Sequence, residues 1–194
     1  KAIAEFCAVS ASLTSLDVGH NSIDQEQALK LVSIFEEKDQ MKSVGLAGCS
    51  LGVKGAKAVA EYARVSASLT VLNLQWNDIG PEGAKSLADA LKVNASLTSV
   101  TLLSNKFNDE TVSMLLKLKE EKPTLTTLCG LKADQTEANF AGWGLTAQDA
   151  KLLAPEIAVS PSLTKVWVGW NKLGDEGTII LCDALRESTV SKVE

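Results

Sequence analysis

The apolar positions of this chain recur on a fixed spacing. Within residues 68–83, Leu69, Leu72, Leu74, Asn77 and Ile79 follow L-x-x-L-x-L-x-x-N-x-L. The same spacing falls on Leu13, Leu16, Val18, Asn21 and Ile23, and on Met41, Val44, Leu46, Cys49 and Leu51. Further copies are Leu97, Val100, Leu102, Asn105, Phe107 and Leu163, Val166, Val168, Asn171, Leu173. The copies open at 13, 41, 69, 97 and 125, a step of 28 residues, and the next opens at 163 after an insertion of 10. A fixed period of this length means stacked units, each too small to bury its own apolar face.

Each unit carries two periodicities. The short alternation Leu16-Asp17-Val18 and its equivalents predict a strand whose alternate side chains face opposite sides. Apolar residues then return at spacings of three and four, as in Ala84, Leu87, Ala88 and Leu91, which predicts a helix with one stripe toward the strands. The helices so predicted are about 25–37, 53–66, 109–121, 147–159 and 175–187, with one more opening at Gly80-Pro81, where an early Pro is tolerated. Residues to about Ser10 finish a helix already under way. Pro155 predicts a kink or a shortened helix. Small residues on the inner faces (Ala56, Ala60, Ala84, Ala88, Ala150, Ala154) let helices lie close to the sheet, and Cys182, aligned with Ala88, reads as another.

Strands pair about 4.8 Å apart, whereas helices need about 8 to 10 Å. The stack must therefore curve with strands inside. The predicted fold is α/β: a right-handed horseshoe solenoid, with a curved parallel sheet on the concave face and helices on the convex face. The letters of the repeat resemble a leucine-rich repeat, and the 28-residue length resembles the ribonuclease-inhibitor-like subclass, which includes the Ran GTPase-activating protein and the sensor regions of NOD-like receptors. We read residues 1–194 as one domain of about six repeats and, since neither end looks capped, as part of a longer array.

The irregular stretch lies near 129–138. Leu125 and Leu128 open a unit in phase, but no Asn follows; Ala138, Phe140, Trp143 and Leu145 resume the pattern, with Trp143 in the Asn place as a core plug. The extra residues read either as a loop on a binding face or as a tolerated insertion. Elsewhere the Asn corner is a buried turn whose amide both donates and accepts, so it satisfies backbone groups of its own and the adjacent repeat.

Composition narrows the function. A net charge of −5 argues against a nucleic-acid surface and leaves a basic protein partner open. Cys7, Cys49, Cys129 and Cys182 lie in different repeats without a C-x-x-C pair, and His20 is the one histidine, so no zinc site is expected. This cysteine usage fits a reducing compartment, and the expectation is an intracellular, cytoplasmic protein. No apolar run approaches the roughly 20 residues of a membrane span. Asn94-Ala95-Ser96 matches a glycosylation sequon but sits in the ordinary loop before a strand.

Candidate chemistry is sparse. Ser15, Asp17 and His20 form a Ser/His/Asp set on paper, but no G-x-S-x-G elbow accompanies them. The cluster Gly45, Gly48, Gly52 and Gly55 matches repeat turns rather than a phosphate loop. No enzyme activity and no cofactor are expected. The mixed charges of the helices (Glu36, Glu37, Lys38, Asp39; Lys117, Lys119, Glu120, Glu121, Lys122) read as a solvated face. The row between the core positions of the strands is more informative. It offers Asp17, His20, Asn73, Gln75, Trp76, Thr101, Leu103, Trp167 and Trp170 as the partner-binding surface. Trp76, Trp170 and His20 share one register, which suits packing over a neighbour at the rim; Trp167 replaces small or polar residues and suits partner contact. The expected function is a non-enzymatic protein-interaction module, a scaffold or a subunit of a larger assembly. The family resemblance keeps two alternatives: a GTPase regulator and the sensor region of an immune receptor.

Overall fold

The computed structural model describes residues 2–193, the side chains of residues 2, 3, 6 and 192 excepted; Lys1, the first residue of the opening helix expected above, lies outside the described residues. Helices and strands alternate: α1 (Ala2–Val9), β1 (Ser15–Asp17), α2 (Gln25–Lys38), β2 (Ser43–Gly45), α3 (Gly52–Val65), β3 (Val71–Asn73) and α4 (Gly80–Val93). They continue as β4 (Ser99–Thr101), α5 (Asp109–Glu121), β5 (Glu137–Asn139), α6 (Ala147–Val159), β6 (Lys165–Trp167), α7 (Gly174–Glu187) and β7 (Lys192–Val193). The helix limits read from apolar spacing agree to within a residue or so. Pro155 neither ends nor shortens α6. It lies on the exposed face of the helix.

Strand register reproduces the 28-residue step. Ser15 pairs with Ser43, Ser43 with Val71 and Val71 with Ser99, all parallel. The central residues Val44, Leu72 and Val100 are buried beneath helices whose inner stripes (Ala56, Val59, Ala60; Ala84, Leu87, Leu91) complete the core.

The asparagine corners join repeats as a ladder. The Asn77 Oδ1 accepts the Cys49 and Leu51 N–H groups at 2.9 and 3.2 Å, and its Nδ2 donates to the carbonyls of Leu46, Leu74 and Gln75. Asn105 repeats this one unit on, accepting from Asn77 N and Ile79 N and donating to Leu74 O. Asn171 does so in the last clear copy, accepting from Leu145 N. Asn94 is buried and anchors the opposite loops, donating to Ala63 O and Ser66 O. Its side-chain nitrogen is engaged inside the fold.

One expectation needs correction: the sheet is not continuous. β1–β4 form one parallel sheet and β5–β7 a second. The unit opening at Leu125 pairs only through single bridges, parallel at Ser99–Thr127 and antiparallel at Thr101–Cys129, so the chain reverses within two residues. The Thr127 hydroxyl oxygen gathers the backbone of this reversal, within its own unit rather than across repeats. It accepts the N–H groups of Cys129, Gly130 and Leu131 at 3.0, 2.7 and 3.1 Å. The hydroxyl itself donates to Glu156 Oε2 at 2.6 Å. Gly130 has φ +81°, and a Cβ there would meet Thr101 Oγ1 at 2.5 Å, so this reversal requires glycine.

A second correction concerns Cys182, which is exposed although Ala88 is fully buried. Ala88 sits between α4 and its neighbours; among the described residues no helix follows α7 to cover the equivalent face.

Candidate functional site

Strand pairing places the expected concave residues in rows. Asp17, Gly45, Asn73 and Thr101 are register partners across β1–β4, and Asn139 with Trp167 form the corresponding row of the second sheet. The Asp17 carboxylate folds over Gly45, where an added Cβ would lie 2.3 Å from its carboxyl carbon, and accepts Gly19 N at 2.8 Å. Asn73 Oδ1 accepts Gln75 N at 3.1 Å. Trp167 is half-buried, with Lys165 Nζ 3.9 Å from its ring centroid.

Beyond the strand ends the rows diverge from expectation. Gln75 is 4% exposed and Leu103 0%, so neither side chain faces a partner. The loop that carries Trp143 folds against the residues that follow them. Trp76 Nε1 donates to Trp143 O at 2.6 Å, and Ser104 Oγ donates to the same oxygen at 2.7 Å. Alternation along a strand foretells the solvated row only within the strand, and here the second half of the solenoid bonds to the residues just past it.

The next register is held outward by its backbone. His20, Gly48, Trp76, Ser104 and Trp170 all have positive φ, from 57° to 63°. His20 packs edge-on against Trp76 with centroids 5.5 Å apart, not against Asp17, so the Ser/His/Asp arrangement is not assembled. Trp76 remains 40% exposed, and Trp170 is 95% exposed. Trp143, half-buried, stacks edge-on against Phe140 at 5.0 Å.

Trp76, Trp143 and Trp170 thus line one open basin of about 620 Å³, with Lys106 and Lys172 on its rim. Lys106 is bonded to Asp78 at 2.8 Å. On its floor the buried Asp149 accepts Ser104 N at 2.6 Å and Thr146 N at 2.9 Å. Periodicity missed Asp149 and Trp143 as partners of the first sheet, because both belong to the repeat that follows the break; an acid where three other units place Gly55, Gly83 and Gly177 was the available signal.

The buried thiols are not poised for chemistry. Burial, aided by the Asp17 charge, pushes the Cys49 thiol up to about 11, and burial raises Cys129 well above its ordinary range. Among the described residues, no group of three or more His, Cys, Asp and Glu is placed to hold a metal ion, and no helix is long and apolar enough to cross a membrane.

Comparison with known proteins bears on the fold. The leucine-rich repeat family model matches residues 9–31, 65–88 and 159–182. No curated protein matches the sequence. The structure is similar to a tropomodulin C-terminal domain of Caenorhabditis elegans at 16% identity and TM-score 0.50, covering 95% of this chain and 92% of that one. Actin-binding site 2 of leiomodin-1 aligns at 17% identity and TM-score 0.48, covering 95% and 86%. With the 28-residue step, the parallel strands backed by helices and the asparagine ladder in place, the three matched segments are leucine-rich repeats.

Proposed function

We propose that this chain is a non-enzymatic protein-interaction module, a scaffold or a subunit of a larger assembly. It engages a protein partner through the concave row and the tryptophan basin at its edge. The observation that carries this reading is Trp170. The same turn position is filled by Gly48, for which positive φ costs nothing, whereas a non-glycine residue there pays roughly 1–2 kcal/mol. Trp170 bears that strain and leaves 95% of its surface in water. A rigid exposed indole gains free energy only when something covers it, and tryptophan is enriched at the centres of protein interfaces for that reason.

The contact set is Asp17, His20, Asn73, Trp76, Thr101, Trp167 and Trp170. The test is affinity purification with the native chain, with the double variant Trp167→Ala/Trp170→Ala, and with the convex-face control Glu36→Ala/Glu37→Ala. Proteins retained by the native chain and the control but lost from the tryptophan variant are the expected result. An identical set of retained proteins in all three would refute the assignment.

A further inference from the structure

The convex face carries a groove that the helix pattern explains. In α4 the positions facing the preceding helix are Gly83 and Ala90; a Cβ on Gly83 would meet the Ala56 Cβ at 2.8 Å, so α3 and α4 lie in close contact. In α7 the equivalents are Gly177 and Ala184, and a Cβ on Gly177 would lie 3.1 Å from the Ala147 Cα of α6. The equivalents in α5 are Thr111 and Leu118, and in α6 they are Asp149 and Glu156, all larger. Asp149 reaches into the corner of the first sheet. Glu156 bonds Leu128 N at 2.6 Å and Lys119 at 2.7 Å. The unit opening at Leu125 contributes a strand bridge but no helix, so α5 and α6 are neighbours across that gap and pack loosely, while α7 packs against α6 as α4 does against α3.

The result is a groove of about 590 Å³ whose floor is Ala154, Pro155 and Ala158 of α6. Its apolar walls are Val112 and Leu116 of α5 and Ile180 of α7. One end is closed by Lys151, bonded to Asp109 at 2.5 Å and Glu176 at 2.7 Å, which ties α5 to α7 across α6. That lysine is thereby outnumbered by its own partners. Asp183 and Glu187 add carboxylates along the α7 wall, and Arg186 answers only the first of them.

We infer that this groove is a second docking surface, independent of the tryptophan basin, and that its occupant is an amphipathic helix of a partner protein. That helix presents small and apolar side chains to the alanine–proline floor and lysines or arginines to the acidic rim. The floor residues are small enough for a helix to approach at ordinary interhelical distance, about 8–10 Å. The rim favours the charge sign opposite to its own, which sets orientation as well as association rate.

The probe is a fluorescein-labelled, hydrocarbon-stapled 14-residue helix with Ala and Leu on one face and Lys on both flanks, titrated by anisotropy against the full chain. Saturable binding is expected, at least about tenfold weaker with Asp183→Lys/Glu187→Lys, whose sites are surface positions, and with Ala158→Arg. A Glu-flanked version of the helix should not bind, and Trp170→Ala should leave binding unchanged, which separates this surface from the basin. Lack of saturable binding by the Lys-flanked helix, equal binding of both helices, or indifference to both groove variants overturns the inference. So does sedimentation showing that the groove variants abolish a dimer of this chain.

Discussion

Replacing Asn77 by Ala tests whether the asparagine ladder, and not the apolar stripe alone, holds successive repeats in register. The side chain is 1% exposed. Its loss strands two buried donors of the preceding repeat, Cys49 N and Leu51 N, and removes the donor to Leu46 O. Two of its acceptors keep another partner: Leu74 O still receives Asn105 Nδ2, and Gln75 O still receives Gly48 N. Three buried groups therefore lose a partner. At ~1–3 kcal/mol each, with partial relaxation, the expected loss is ~4 kcal/mol, a large part of the ~5–15 kcal/mol that holds a typical domain folded.

The control is Asn21→Ala. Asn21 holds the same place in the first repeat but is exposed and donates only to Val18 O and Gly19 O of its own turn. Its replacement should cost under ~1 kcal/mol. Equilibrium urea unfolding of the native chain and both variants, followed by circular dichroism, measures the difference. Equal losses, or an Asn77→Ala loss below ~1 kcal/mol, would show that the corner asparagines merely fill space and that the ladder account is wrong.

Two other outcomes follow from the same geometry. Glu156→Leu leaves Leu128 N and the half-buried Lys119 without their carboxylate and should lower stability by ~3 kcal/mol in urea unfolding, whereas Glu156→Gln, whose amide oxygen still accepts, should cost clearly less. Iodoacetamide at pH 8 should alkylate the exposed Cys182 in the native chain and reach Cys49 and Cys129 only on unfolding, as mass spectrometry would read. Because burial raises the folded pKa of Cys49 to about 11, the unfolded thiol ionises first, so its stabilising contribution is intact below about pH 9 and is lost as pH rises toward 11.

The regular part of the molecule was legible because its cause is local. Every strand from β1 to β4 follows from an alternation that recurs at one step, and α5 and α6 begin and end where the apolar spacing does. Trp170 was also findable, being one register beyond the strand. What the pattern could not reveal was anything set by a neighbour from a different unit. Gln75 and Leu103 continue the outward alternation just past their strands yet are buried, beside Trp76 and Ser104, which bond the Trp143 carbonyl more than 35 residues away in sequence. Asp149 and Glu156 resemble the acids of any solvated helix face; comparison with Gly83 and Ala90, position by position, marks them as the residues that hold a helix away.

The two candidate surfaces have one origin. The chain reverses at Cys129, so the Ser104 N–H lacks the next-repeat carbonyl that Trp76 N finds in Leu103 O, and Asp149 on α6 accepts it instead. That bond pulls the following unit toward the ends of β3 and β4, where the Trp143 carbonyl meets Trp76 and Ser104 and the basin closes on one side. On the convex side the unit that follows β4 brings no helix, and α5, α6 and α7 together line the groove. An insertion that restored a full repeat, with an Asn corner and a helix bearing Gly and Ala at the facing positions, would make the sheet continuous. It would alter the groove and the Trp76 contacts together, because α6 and the Trp143 turn both belong to the unit that follows the break.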